Sequence, residues 1–432
     1  METVLPAAGE GAGPRWLPPA LRVRSYRWYW SAQWPVLLGT WMQTVALGYF
    51  VYTETRSVNS VAFVAAASGI PAVALSVLGG ALADRYPRRR ILLVTQSTLG
   101  LGAATLAILA STGHFSLGAI VVVAVVFGSS AAIDLPTSQA LVADLVSRDL
   151  VLNAMALAAS AMSVCRLVGP SVAGVLYAVA GPGACFSCLA IAYLAPISVL
   201  WAVVPDIAPA GRASSRRLAK DVAAGFTAAW RDPLLRGVMG AGAMLSLLGV
   251  SYMPFLPVLA SSRLHVGSSG LGLMYSVGGV GGLTGGLLLS ALGRGRGRRW
   301  FLVGGGALYA LSLATVARSS WLGWTLPALV GVSLAFVAIN TTLTTVLQMD
   351  ADPAVRGRLL GLFATQAAGL QPLGTLLYSV LGSAHLFDGV TVGAVLVGFS
   401  AVAVGLRGGL APIGTVAAPP LARPPSSPGQ AW

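Results

Sequence analysis

Long runs of apolar residues, separated by short polar segments, make up most of the 432-residue chain. Each run is long enough for a helix to cross a bilayer, which takes about 20 apolar residues. The runs are continuous rather than alternating at every second residue, so they favour membrane helices over the strands of a β-barrel. The pattern therefore predicts an all-α membrane protein with twelve transmembrane helices, at about 31–53, 60–83, 90–110, 116–142, 153–180, 184–204, 236–260, 268–293, 300–317, 321–347, 359–381 and 388–406.

The polar segments divide this pattern into five regions. Residues 1–30 form an N-terminal arm, and residues 31–204 and 236–406 form two bundles of six helices. The basic linker 205–235 carries Leu218, Val222, Phe226 and Trp230 near helical spacing, which predicts an amphipathic helix on the membrane surface. The tail 407–432 is rich in Pro, Ala and Ser, a composition typical of disordered segments.

The two bundles repeat one another in sequence. A shift of 206 residues places Gly79 on Gly285 and Asp134 on Asn340, and after a shorter loop a shift of 201 places Gly181 on Gly382. Two parallel repeats are typical of secondary transporters, in which the substrate site lies near the bilayer midplane between the repeats. We therefore expect two pseudo-symmetric bundles of six helices with a site between them.

The charge pattern indicates orientation. The chain has 27 basic and 13 acidic residues, but only 9% of it is charged and 56% is hydrophobic, which excludes an ordinary soluble protein. All but four of the basic residues fall on one predicted side. Arg166 lies inside a span, and Arg56, Arg263 and Arg318 lie on the other side. By the positive-inside rule both termini are cytoplasmic, and the basic charge indicates membrane topology rather than binding of nucleic acid.

Residues that could support an enzyme or a metal site are few. The three histidines, His114, His265 and His385, lie far apart in predicted outer loops, and only Cys185 and Cys188 have the spacing of a metal-binding pair. Without a second pair or a nearby histidine, we expect no metal and no cofactor. The chain also lacks a Walker sequence, so we do not expect ATP to drive it. An integral-membrane enzyme is the alternative, and it would need a cluster of acids, histidines or metal ligands.

Four sequence segments carry a family resemblance. The segment from Gly80 to Arg90, GALADRYPRRR, resembles the GxxxDRxGRR loop of the major facilitator superfamily, with Pro87 in place of a glycine. The segment GPSVAG, Gly169 to Gly174, is similar to the Gly-Pro element of antiporter-type exporters. Segments 26–43 and 134–141 resemble the branch that contains enterobactin exporters and macrolide-efflux proteins. The resemblance covers about 20–406.

The resemblance implies roles for the first two segments. In the superfamily the loop acid, here Asp84, binds a helix of the other half and latches one state of the transporter, so the gating residues are Gly80, Asp84, Arg85, Arg88 and Arg89. Ser290 stands at the equivalent position of the second half, so we expect a one-sided latch. The arginines could instead serve only topology. Gly169, Pro170 and Gly174 are expected to favour export by bending or sealing their helix, and the alternative is close packing through small residues.

Two ionisable residues lie inside predicted spans. Asp134 is ten residues from Asp144, roughly 15 Å into the membrane, and Arg166 is thirteen residues from Asn153, at roughly 20 Å. Buried charges in a bilayer are costly unless they are paired, and they usually mark function. We therefore expect Asp134 and Arg166 to lie close together and to couple protonation to transport. The alternative is a permanent structural ion pair.

Polar residues in other spans are candidates for the wall of a cavity. The resemblance implies that spans 1, 4, 7 and 10 line the cavity, which selects Trp41, Gln43, Asn340 and Thr344. Hydrogen bonds between helices, without any ligand, would explain these residues equally well.

Together these observations predict a secondary active transporter of the cell membrane, both termini cytoplasmic. We expect proton-coupled efflux of an amphipathic small molecule such as a drug, an antibiotic, a siderophore or another secreted metabolite. Its partners are then the substrate, protons and the lipid bilayer, with no nucleic acid, and we expect a monomer. Uptake of a small metabolite and a non-transporting sensor or scaffold are the alternatives.

Overall fold

The computed structural model describes residues 16–83, 85–206, 230, 232–292 and 297–406. The arm before residue 16, the amphipathic helix expected in the linker and the tail lie wholly or mainly outside these residues. A short 3-10 turn, Pro19–Arg22, precedes the first helix. The α-helices are α1 (Arg24–Thr55), α2 (Val58–Ala83), α3 (Arg88–Ser111), α4 (Leu117–Leu145), α5 (Val151–Ala192), α6 (Leu194–Ala202), α7 (Pro233–Met244), α8 (Leu256–Ser262), α9 (Ser268–Leu292), α10 (Gly297–Arg318), α11 (Leu322–Asp350), α12 (Pro353–Val380) and α13 (Gly382–Leu406).

The described part of the chain contains nine helical segments that are long and apolar enough to cross a membrane. One of them, Val151–Ala202, is divided by Gly181, whose positive φ of 76° interrupts the helix. α1 and α12 are not among the nine, although they have 32 and 28 residues, so twelve crossings stay a prediction. On α3, Val94, Leu101 and Ile108 recur every seven residues and are exposed, as expected of a face that contacts lipid.

α1 begins at Arg24, earlier than the apolar pattern predicts, so the end of the expected arm is helical. The first turns carry amphipathic aromatic residues that an apolar pattern does not detect. The Tyr26 hydroxyl donates to the Ala154 carbonyl (2.8 Å), and the Tyr29 hydroxyl is 2.7 Å from the Ser138 hydroxyl oxygen. These hydrogen bonds fix the start of α1 against α4 and α5.

The two halves of the chain, 16–206 and 232–406, repeat their local structure. Gly181 and Gly382, equivalent in the sequence repeat, both have positive φ, at 76° and 67°. A Cβ on Gly79 would stand 3.0 Å from the Ile133 Cα, and one on Gly285 would stand 3.0 Å from the Leu334 Cα. α2 therefore packs on α4 as α9 packs on α11, with small residues permitting the close approach.

Short connections between long helices give the bundle two faces. Only two residues join α1 to α2, so consecutive helices run in opposite directions. We call the face at which α1 begins, and at which α2 is joined to α3, the arginine-rich face. The opposite face, at which α1 ends and α9 begins, is the far face.

Candidate functional site

The helical segment from α7 to α8 is irregular in its middle. A π-helical turn, Leu245–Gly249, is followed by a 3-10 segment, Val250–Phe255. Pro254 and Pro257 have no backbone N–H, so the carbonyls of residues one turn earlier lose their usual donors. Irregular backbone at membrane depth must be satisfied by other groups of the protein.

Three tyrosines donate side-chain hydrogen bonds to backbone carbonyls of this irregular segment. Tyr309 donates to the Gly249 carbonyl (2.7 Å), Tyr378 to that of Leu248 (2.8 Å), and Tyr275 to that of Met253 (3.0 Å). The hydroxyls come from α10, α12 and α9, so three neighbouring helices hold the irregular segment in place. Each tyrosine couples a helix of the second half to this segment.

A cavity of about 230 Å³ lies beside the irregular segment. Val250, Tyr252 and Met253 of that segment form one wall, and α5, α9, α10 and α11 form the others. The lining residues of α9 and α11 lie 10 to 15 positions from the helix ends at the far face, a depth of roughly 15–22 Å. The cavity is therefore near mid-depth. Its lining residues are Ser163, Arg166, Val250, Tyr252, Met253, Gly278, Gly279, Gly282, Leu283, Tyr309, Val332, Ser333, Phe336 and Val337.

The first half contributes Ser163 and Arg166 of α5 to this lining, and Arg166 is its one charged residue. The guanidinium carbon of Arg166 lies 5.4 Å from the centroid of a Trp41 ring, within cation–π range. Trp41 thus supports Arg166 from α1. Arg166 faces residues of the second half across the cavity.

Asp134 lies elsewhere in the first half. The Thr95 hydroxyl donates to its Oδ1 (2.6 Å), and the Gln96 side chain also hydrogen-bonds to it. Both partners are on α3, so Asp134 faces the interior of the first bundle. The expected pair of Asp134 and Arg166 does not form in this structure. Two residues at the same depth can project from different sides of their helices. Here the two side chains contact different neighbours.

The Gly-Pro element of α5 lies at contacts with two other helices. A Cβ on Gly169 would stand 2.7 Å from the Trp41 Cβ of α1. A Cβ on Gly174 would stand 2.6 Å from the Ser268 carbonyl oxygen of α9. The Ser268 hydroxyl also donates to the Gly174 carbonyl (3.0 Å). The element thus brings the two halves into close contact near the far face.

The seam between α5 and α9 widens away from the far face. Gly272 and Gly279 lie on one side of α9, seven residues apart, and they face Pro170 and Leu167 of α5. Gly286, seven residues further and on nearly the same side, has open space where a Cβ would stand. The halves are therefore tightly packed at the far face and diverge along this seam toward the arginine-rich face.

The gating loop is partly described. Arg88 forms an ion pair with Asp144 and donates to the Ala140 carbonyl (3.1 Å), and Arg89 donates to the Trp201 carbonyl (2.6 Å). These contacts join α3 to α4 and α6 within the first half. Gly80 lies in α2, and Arg85 is exposed. Asp84 lies outside the described residues, so the latch stays a prediction.

The cavity candidates from the sequence have different positions. Trp41 supports Arg166, but Gln43, Asn340 and Thr344 are not in the lining of the described cavity. The Thr344 hydroxyl donates to the carbonyl of Asn340 on the same helix (2.8 Å). Tyr252 and Tyr309 were not among the residues predicted from the sequence. The prolines of the seventh apolar run were the available signal, because they interrupt a membrane helix.

Comparison with known proteins agrees with this architecture. A family model described as transmembrane secretion effector matches residues 16–427. The staphyloferrin A transporter of Staphylococcus aureus is 24% identical over 82% of this chain and 88% of its own length. The enterobactin exporter EntS of Escherichia coli O1:K1 / APEC is 26% identical over 71% of this chain and 73% of its own.

A solved structure shares the fold. The inward-facing, unoccupied structure of a bacterial homologue of the human lysosomal transporter Spinster aligns with a TM-score of 0.69 and 13% identity. It covers 91% of this chain and 96% of that chain. With the helices, the two repeated halves and the cavity between them, these matches show that the chain belongs to the transmembrane secretion effector family of the major facilitator superfamily, a family of transporters rather than enzymes.

Proposed function

We propose that this transporter exports an amphipathic small molecule, of the siderophore or secreted-metabolite class, in exchange for protons. The observation that carries the proposal is a mid-depth cavity between two halves that pack tightly at one face and diverge toward the other. Alternating access requires a central site that is closed toward one face while it is open toward the other, and this arrangement supports that mechanism. The two relatives named for siderophores support the substrate class.

The direction of transport follows from the charge pattern. The halves diverge toward the arginine-rich face, which the positive-inside rule assigns to the cytoplasm. The far face is closed by the contacts of Gly174 and Gly272 with the opposite half. The structure then corresponds to the state in which an exporter loads its substrate from the cytoplasm.

Asp134 is the proposed proton site. It is an acidic side chain within a membrane helix, hydrogen-bonded to Thr95 and without an ion-pair partner among the described residues. Acids within membrane helices commonly serve as proton relays. Gaining or losing a proton would change its hydrogen bonds to α3 and so the packing of α3 on α4.

Inverted membrane vesicles test this function. Vesicles that contain the full chain and have an acidic lumen are given metal-free enterobactin, staphyloferrin A or a lipophilic fluorescent drug. We expect accumulation of at least one compound, and its loss on addition of a proton uncoupler. Vesicles without the protein are the control. Accumulation only in right-side-out vesicles would show uptake instead, and accumulation that is insensitive to the uncoupler would exclude proton coupling.

A further inference from the structure

Arg166 carries a positive charge into the cavity, and none of the described acids forms an ion pair with it. The ion pairs among the described residues join other groups, all of them at the two faces of the bundle. Asp134, the acid expected to neutralise Arg166, is held by Thr95 instead. The guanidinium instead has a cation–π contact with the ring of Trp41.

A lone arginine at this depth is costly for the protein. Arginine within a membrane segment normally pairs with an acid, faces water or marks a pathway for a substrate. Arg166 contributes to a cavity whose remaining lining is uncharged, with Tyr252, Tyr309, Ser163 and Ser333 as the main polar side chains. The charge of Arg166 therefore makes the electrostatic potential in the cavity positive, most strongly beside the guanidinium.

The arrangement around Arg166 leaves its donors available. Arg166 forms no hydrogen bond and no ion pair with a described residue, so its N–H groups are free to donate while the guanidinium keeps its cation–π contact with Trp41. Those N–H groups match the two oxygens of a carboxylate in a bidentate pair. Phe336 and Val332 on the opposite wall provide an apolar surface for the rest of a ligand.

We propose that the cavity selects amphipathic organic acids, with Arg166 pairing with a carboxylate of the substrate and Trp41 holding the guanidinium in position. The proposal rests on the proposed function, because it assigns the substrate class of the same cavity. The cavity of about 230 Å³ is below the usual 300–1,000 Å³ of a pocket for a drug-sized ligand. It therefore accommodates the acid group and its immediate neighbours, and a larger substrate would extend into the gap between the halves.

Equilibrium binding tests this inference without requiring transport. The full chain is reconstituted in nanodiscs of neutral lipid, and energy transfer from tryptophan reports binding of N-dansyl-leucine or of its primary amide. The two probes share one apolar body and differ in one negative charge. We expect the wild-type protein to bind the acid about tenfold more tightly than the amide, the factor of a single charged hydrogen bond.

Variants assign the preference to one side chain. Arg166→Gln should lower the affinity for the acid to that for the amide and leave the amide unchanged, and Arg166→Lys should retain part of the preference. Arg299→Gln is the matched control. Arg299 is also an exposed arginine near a tryptophan ring, that of Trp300, but it lies outside the cavity.

Two results would overturn the inference: equal or undetectable binding of both probes by the wild type, or a preference for the acid that survives in a folded Arg166→Gln protein. Size-exclusion profiles establish that each variant is folded. Because no gradient is present, the charge preference can fail while proton-driven efflux is intact, and the preference can hold while efflux fails.

Discussion

The hydroxyl of Tyr309 donates a 2.7 Å hydrogen bond to the backbone carbonyl of Gly249 and so ties α10 to the irregular segment beside the cavity. Tyr309 is 1% exposed, and Gly249 is buried as well. The irregular segment is therefore held by specific side-chain hydrogen bonds from neighbouring helices. Its position sets the place of Tyr252, which forms part of the cavity wall.

Tyr309→Phe should lower the stability of the protein. The substitution removes a buried hydrogen bond to the Gly249 carbonyl, which costs about 0.5–1.5 kcal/mol. The midpoint of thermal unfolding in detergent measures the loss. Tyr86→Phe removes the hydroxyl of an exposed tyrosine and should leave the midpoint unchanged. Equal midpoints for the wild type and Tyr309→Phe would show that the hydrogen bond contributes nothing.

Gly174→Ala should open the far face. The added Cβ would stand 2.6 Å from the Ser268 carbonyl oxygen and 3.1 Å from the Gly272 Cα, both backbone atoms that cannot turn aside. We expect the distance between spin labels at Thr112→Cys and Ser320→Cys, in the outer loops of the two halves, to increase in a Cys188→Ser background.

Gly240→Ala is the matched control for this change, because a Cβ at Gly240 meets open space. It should leave the label distance as in the parent protein. A label distance that stays the same in Gly174→Ala would mean that the close approach of α5 and α9 does not control closure of the far face.

Asp134→Asn should separate transport from the proton gradient. The amide cannot take up a proton in the relevant pH range, so efflux driven by an acidic vesicle lumen should fall at least about tenfold, a loss typical of removing an essential proton-transfer group. Exchange of labelled for unlabelled substrate across the membrane, without a gradient, should continue. Asp149→Asn, at an exposed position between α4 and α5, should behave as the wild type. Full gradient dependence in Asp134→Asn would exclude this acid as the proton site.

Labelling of single cysteines tests the orientation on which the direction of transport depends. Thr112→Cys lies at the far face and Ser147→Cys at the arginine-rich face, both at exposed positions. A membrane-impermeant maleimide added to intact cells should label position 112 and leave position 147 unreacted until the membrane is permeabilised. The reverse pattern would place the arginine-rich face outside and would make the structure a loading state for uptake.

The apolar pattern predicted an all-helical fold and most of the helices because lipid forces every backbone group to be satisfied within its own segment. The expected run at 268–293 is α9, and the expected break between 180 and 184 contains Gly181. The internal repeat also identified Gly181 and Gly382 as equivalent, and both have positive φ. The predicted start of α1 was several residues too late. Its first turns carry tyrosines and arginines, and an apolar pattern does not count the apolar parts of such side chains.

The sequence by itself determined the class of fold, the repeat and the presence of two ionisable residues at membrane depth. The tertiary structure decided what these residues face. Asp134 contacts α3 and Arg166 faces the cavity, although their depths are similar. Depth follows from counting residues along a helix, whereas the direction of a side chain depends on which helices pack against each side. That packing is set by contacts between segments distant in the chain, such as those of Gly174 with Ser268, and no local pattern contains it.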